Sequence, residues 1–319
     1  MANDNQNGNG NLYDDDNLYE DTNQFGQETK VEAHHTATNT ISEDKNKLKY
    51  AVQPHLNDTK TPIVFFVGPA ASGKSMILVR LSKYLRNIEK CIIETDDTFL
   101  NTNEYQNDCK EFNECLDTDI ALDGTVKYLL VSVKDSNKRK ICQFLEAPGE
   151  DYFDPLLPNK EIPGYMKNLI ASPNKKVFVF LLDLDSKVSL RRDIKVREKY
   201  SRRLETIYNN LFERSRDRLI LLYNKIDIPG YGTIHQPTQP DEAEKEVRML
   251  YQQGQCNLFS TCRRPFLGGL FQVDNFEFRT FCTGLYSDQT DDKGNPYQTY
   301  NISGDVYPRD LWNEIIRRF

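Results

Sequence analysis

The segment Gly68-Pro69-Ala70-Ala71-Ser72-Gly73-Lys74-Ser75 constrains this chain more than any other, because it follows the unbroken apolar run Ile63-Val64-Phe65-Phe66-Val67. A short run with no polar position reads as a strand buried on both faces, as in the middle of a parallel sheet. Met76 to Tyr84 then reads as a helix. The spacing G-x-x-x-x-G-K-S between a strand and a helix makes a loop whose amides turn inward towards an anion. The start of the helix adds its positive end. Gly68 lets the chain leave the strand sharply, and Gly73 lets the backbone come close to a phosphate. Lys74 supplies a point charge for the outer phosphates, and the Ser75 hydroxyl a ligand for Mg2+. Ala71, Ser72 and Met76 complete the run whose backbone lines such a site. The expected ligand is a nucleoside triphosphate with magnesium.

The texture of the remaining chain agrees with such a strand and loop. Apolar runs recur at Cys91–Ile93, Tyr128–Val133, Ile141–Leu145, Val177–Leu182, Leu219–Tyr223 and Phe276–Phe281. Helical patterns lie between several of them, at Ser189–Arg216, Asp241–Gln252 and Pro308–Phe319. Strands alternating with helices predict a three-layer α/β sandwich around a mostly parallel sheet. Segments 126–134 and 138–146 flank the turn signal Asp135-Ser136-Asn137 and predict one antiparallel hairpin at a sheet edge. Residues 1–45, rich in Asn, Asp, Gln and Gly, are expected to be a disordered acidic tail. Residues 46–319 are expected to form the nucleotide-binding domain, with insertions near 100–120 and 229–270.

Composition narrows the function classes. A net charge of −7 gives no basis for wholesale DNA, RNA or anionic-membrane binding. Seven cysteines with no CxxC pair suit a reducing compartment. No apolar run reaches the roughly 18 residues of a membrane span, and no secretory leader pattern opens the chain. The expectation is a cytoplasmic protein without a membrane segment. The basic face of helix 187–216 and the stripe Trp312, Ile315, Ile316, Phe319 read as a solvated face and a core face.

Two further motifs bear on the nucleotide. Asn224-Lys225-Ile226-Asp227 follows the run ending at Tyr223, where ligands of open parallel sheets bind. Asp227 can accept from both N1–H and the exocyclic amine of guanine, an arrangement adenine does not offer. Asn224 can bond the purine N7 edge and brace the phosphate loop. The Lys225 stem can lie along the base. Glu146-Ala147-Pro148-Gly149-Glu150 follows the strand ending at Leu145.

In this order and context the three motifs resemble those of the P-loop GTPase superfamily, the Ras-like and translation-factor GTPases. The resemblance is carried by motifs over about residues 60–319. It implies GTP and GDP as bound nucleotides, Mg2+ as cofactor, slow GTP hydrolysis, a role as a molecular switch, and a protein effector or activator. It makes Glu146 the acid that holds Mg2+ and Gly149 the amide that senses the γ-phosphate. Glu150 falls where relatives place the residue that orients the attacking water. A switch threonine is implied just before the hairpin: Thr125 is preferred, with Thr118 and then Thr98 behind it. Lys74, Thr125 and Glu150 thus form the expected catalytic set, and Ser75, Thr125 and Glu146 the metal set. Thr283, in Cys282-Thr283-Gly284, is the expected backing for the guanine, with Phe259–Cys262 as rival. Glu146 replaces the usual Asp, Glu150 would repel a γ-phosphate, and Ala70 and Ala71 stand where glycines are common. The last two favour low turnover, and the longer glutamate implies a different approach to Mg2+. Two other readings stay open: an ATPase or small-molecule kinase using Asp96 or Asp97, and a non-hydrolysing nucleotide-binding scaffold.

Overall fold

A computed structural model describes residues 54–121, 128–154, 157, 159–182, 194–226, 244–245, 248, 262–282, 285–301 and 304–319. The expected tail, and most of the expected helix 241–252, lie outside the described residues. The elements, in chain order, are β1 (Ile63–Val67), α1 (Lys74–Asn87), β2 (Ile92–Thr95), α2 (Asn103–Asp117), β3 (Leu129–Lys134) and β4 (Lys140–Glu146). After them come α3 (Gly149–Tyr152), α4 (Gly164–Ala171), β5 (Lys176–Leu182), α5 (Ile194–Asn210) and β6 (Arg218–Tyr223). The chain continues with β7 (Arg263–Phe266), β8 (Phe271–Asp274), β9 (Glu277–Thr280), β10 (Leu285–Thr290), β11 (Pro296–Asn301) and α6 (Val306–Ile316).

The main sheet has the order β2-β3-β4-β1-β5-β6-β9. From β4 to β9 all neighbours are parallel, and β2, β3 and β4 pair antiparallel. The expected hairpin is β3–β4, and β2 extends its outer side. All five residues of β1 are buried, as the apolar run predicts. Adjacent residues of a strand point to opposite faces, and β1 feeds two helical layers accordingly. Phe65 stacks on Phe178 at 5.2 Å, and Phe178 meets Phe212 just beyond α5. Phe66 meets Phe144 edge-on at 5.8 Å, and Phe144 meets Trp312 of α6 at 6.3 Å. The aromatic stripe of the last helix is therefore core.

Parallel pairing brings the C-terminal ends of β1, β4, β5, β6 and β9 to one edge. Phe66 stands opposite Glu146, Val67 opposite Phe180, Leu182 opposite Tyr223, and Tyr223 opposite Thr280. The chain runs from β1 to β4 on one side and to β5 on the other, so the end of β1 is a point where strand order reverses. Helix α2 and the two-stranded ribbons β7–β8 and β10–β11 have no counterpart in the strand and helix patterns read from the sequence. The second ribbon holds the segment after α2 through an Ile120–Thr299 bridge and the Ala121 amide, which donates to Gln298 O at 2.8 Å. No helix among the described residues is long and apolar enough to cross a membrane.

One core position stores a charge. Lys176 opens β5 fully buried, and its ammonium donates to Asn174 O at 2.8 Å and to Ser172 O. Burial pushes its pKa down to about 8, against the pull of Asp217. Above that value the unfolded chain still binds a proton that the folded chain has released, so the lysine's penalty fades as pH rises. The expected outcome is that wild type gains stability on Lys176→Met between about pH 8 and about pH 10. Urea unfolding of both proteins across that range checks it, and parallel curves would contradict the assignment.

Candidate nucleotide site

The loop after β1 is shaped by close backbone approach. A Cβ on Gly68 would meet Ser72 Oγ at 2.6 Å and Leu181 Cβ at 3.0 Å, so only glycine fits there. Ser72 is buried, and its hydroxyl donates to Pro69 O at 2.8 Å, closing the loop on itself. Gly73 (φ 89°) caps α1 in the left-handed region, where glycine carries no penalty. Ala71 has φ 59° and does carry one. Met76 lies buried in the first turn of α1.

Lys74 is buried, and its Nζ donates to Gly68 O at 3.2 Å and Pro69 O at 2.9 Å. The ammonium is thereby held by two carbonyls of its own loop. Burial pulls its pKa down, and the charges of Glu146, Glu150 and Asp151 oppose that pull. Glu146 ends β4, and Glu150 and Asp151 lie in α3 just after it. Ser75 Oγ donates to Glu146 Oε1 at 2.5 Å. The extra methylene of glutamate lets its carboxylate reach the hydroxyl directly from the end of β4. A hydroxyl and a carboxylate in contact are oxygen donors of the kind Mg2+ takes alongside phosphate oxygens. Among the described residues no group of three or more His, Cys, Asp or Glu side chains stands together, and a bound phosphate would bring further oxygen ligands of its own.

Asn224 is fully buried past the end of β6. Its Nδ2 donates to Ser72 O at 2.9 Å, across 152 positions of chain, and its amide donates to Leu182 O at 3.3 Å. The brace expected of Asn224 is present. Its Oδ1 and the Thr280 Oγ1 are buried without a hydrogen-bond partner among the described residues. Lys225 has φ 65°, a left-handed turn that ends the strand, and Ile226 is buried with its amide on Phe281 O. Asp227, Thr125 and Thr283 lie outside the described residues. Cys282 is buried after β9, at the same sheet edge.

The two lesser threonines are elsewhere. Thr118 follows α2, its hydroxyl on Glu114 O and its carbonyl receiving Lys83 Nζ. Lys83 is two turns along α1 from Ser75, about 12 Å at helical rise, so Thr118 is away from the phosphate loop. Thr98 is bonded to Asp96 Oδ1 at 2.6 Å in the turn after β2, and Asn57 donates to it.

The Gly149 turn was legible only in part. A Cβ there would stand 2.2 Å from Ala70 N and 2.3 Å from the Pro69 carbonyl carbon. The glycine is therefore needed for backbone contact with the phosphate loop. Tyr128, Asp151 and Tyr165 meet at this turn without any sequence motif that marks them: the Tyr128 and Tyr165 hydroxyls both donate to Asp151 Oδ2. The one local signal is a pair of acids, Glu150 and Asp151, just ahead of the buried aromatics Tyr152 and Phe153.

The described residues form an α/β sandwich with the loop of residues 68–75 after the central strand, Glu146 at the end of β4 and Asn224-Lys225 just past the end of β6. Among solved structures the chain is similar to nucleolar GTP-binding protein 1 from Plasmodium falciparum, at 13% identity and TM-score 0.37, over 83% of this chain and 90% of that one. It is similar to a chain of the signal recognition particle receptor SRb-GTP/SRX complex from Chaetomium thermophilum, at 12% identity and TM-score 0.37, over 81% and 99%. A third is the S. cerevisiae Ski7 GTPase-like domain bound to GDP and inorganic phosphate, at 13% and 0.36, over 86% and 52%. No protein-family model matches the chain, and no curated protein does.

Two substitutions read the loop geometry in opposite directions. Ala71→Gly is expected to stabilise the fold by up to about 1 kcal/mol by removing left-handed strain, less the entropy of an added glycine. Gly149→Ala is expected to destabilise by about 2 kcal/mol or more, since backbone must shift to admit the methyl group. Denaturant midpoints of the two variants check both signs.

Proposed function

We propose that this chain binds GTP and GDP with Mg2+, hydrolyses GTP slowly, and acts as a nucleotide-controlled switch read by a protein partner. The observation that carries this reading is the Asn224–Ser72 bond, which ties the motif suited to guanine directly to the loop suited to phosphate. Two separate motifs joined by one buried bond form a single site, with a base end and a phosphate end.

The roles follow from chemistry. Lys74 and the amides from Ala71 to Met76 hold the phosphate oxygens and spread their charge. Ser75 and Glu146 would hold Mg2+, with the Thr125 hydroxyl as a further ligand. When bound, the ion neutralises charge on the β- and γ-phosphate oxygens. The Gly149 amide bonds the γ-phosphate, and the Glu150 carboxylate orients water beside it. A carboxylate there also repels the phosphate, which keeps turnover low without a partner. Asp227 accepts the two guanine donors, Asn224 and the Lys225 stem frame the base, and Thr283 backs it. Loss of the γ-phosphate withdraws the bond that would order the segment at Thr125 and takes the phosphate away from the Gly149 amide.

With Mg2+ present, GTP should displace a fluorescent guanine nucleotide at least about 100-fold better than ATP does, since an acceptor pair built for guanine and left unmatched is costly. Asp227→Asn should shift the preference towards xanthine nucleotides. Equal competition by GTP and ATP would sink the guanine reading. Single-turnover decay of bound GTP separates a slow enzyme from a scaffold.

A further inference from the structure

The turn at Gly149–Tyr152 is tied down on every side. Gly149 abuts the phosphate loop backbone. Two residues on, Asp151 is buried, and its Oδ2 accepts from the Tyr128 hydroxyl at 2.9 Å and from the Tyr165 hydroxyl. The two phenol oxygens also lie side by side, and their rings meet edge-on with centroids 6.0 Å apart. Tyr128 immediately precedes β3, and Tyr165 lies in the first turn of α4. One carboxylate oxygen therefore joins three separate elements. Burial, with the Asp151 charge beside it, pushes the Tyr165 phenol far above its ordinary range and keeps it a donor. Tyr152 is buried, and the Phe153 ring packs on Tyr200 at 5.3 Å. The Tyr200 hydroxyl donates to Leu181 O at 2.6 Å, at the end of β5.

Segments that open and close freely have few buried contacts and exposed backbone bonds. This turn has the opposite character. We infer that Asp151, clasped by the Tyr128 and Tyr165 hydroxyls, is a positioning residue that holds Gly149 and Glu150 against the phosphate loop before any nucleotide arrives. The inference rests on reading residues 68–75 as a triphosphate site. Asp151 itself touches no reacting atom. It acts by fixing the backbone on which the Gly149 amide and the Glu150 carboxylate are carried. The ordering cost of that turn is then met by folding rather than by the γ-phosphate. A third phosphate therefore finds a donor already in place, and the preference for triphosphate over diphosphate depends on the clasp.

The clasp needs an acceptor at position 151, not a charge as such. Asp151→Leu removes the acceptor and keeps the bulk. Asp151→Asn keeps an oxygen that accepts both phenols. Tyr165→Phe removes one donor and keeps the ring. The experiment is hydrogen exchange on the full chain, without nucleotide and with GDP or a non-hydrolysable GTP analogue, beside affinities for each. The reporters are the Asp151 amide, which donates to Pro148 O at 3.1 Å, and the Phe153 amide, which donates to Gly149 O at 2.9 Å.

In wild type both amides should be protected without nucleotide. Asp151→Leu should exchange about tenfold faster at both, with β1 and α1 unchanged, and Tyr165→Phe should move in the same direction. Asp151→Asn should stay within about threefold of wild type. The ratio of triphosphate to diphosphate affinity should fall about tenfold in Asp151→Leu, with diphosphate affinity held. Equal loss for both nucleotides would mark a purely structural residue and overturn the inference. So would amides that become protected only when triphosphate is added, or that ignore Asp151→Leu. If wild type binds neither guanine nor adenine nucleotides, the triphosphate reading fails. The exchange arm then still decides whether Asp151 holds the turn.

Discussion

The structure depends on β1 being paired in parallel on both sides and covered on both faces. Its backbone bonds are shared between β4 and β5, and its alternate side chains enter two different helical layers. A strand so placed cannot slip by one residue without exchanging Phe65 and Phe66 between the layers. Its end is therefore fixed in space, and Gly68 begins where the edge of the sheet begins. The same register delivers Glu146, Asn224 and Cys282 to that edge, because parallel neighbours end together.

At that edge the site is assembled mainly by backbone contact. Gly68 lies against Ser72 and Leu181, Gly149 lies against Pro69 and Ala70, and the Ser72 carbonyl is taken by Asn224. Each contact fixes one wall to another without a long side chain whose entropy must be offset. Lys74 is the exception, and it is held by two carbonyls of the loop it serves. Low flexibility of this kind suits electrostatic recognition of phosphate, where donors gain most when they need not reorganise. The strain at Ala71 is local and is supported by the packing of the loop around it.

Two kinds of information separated cleanly. Local patterns predicted β1, α1, the β3–β4 hairpin and the last helix, since strand burial and helical periodicity are written in adjacent residues. The brace from Asn224 was legible because the motif carries its own chemistry. The clasp of Tyr128, Asp151 and Tyr165 was not legible, because three ordinary residues acquire meaning only when β3, α3 and α4 converge. Helix α2 was missed for a related reason. Its buried positions Tyr105, Cys109, Phe112, Cys115 and Leu116 are diluted by Asn, Asp and Glu on the outer face.

By itself, then, the sequence determined a phosphate loop between strand and helix, and a mostly parallel α/β sheet to present it. Glycine spacing, apolar runs and a lysine at the helix start are short-range properties that need no partner. Only the tertiary structure decided that Glu146 reaches Ser75, that the Thr118 carbonyl is met by Lys83, two helical turns along α1 from Ser75, and that Gly149 is pressed onto Pro69 and Ala70. Those are distances between residues far apart in the chain, and they are set by strand register and layer packing rather than by any local preference.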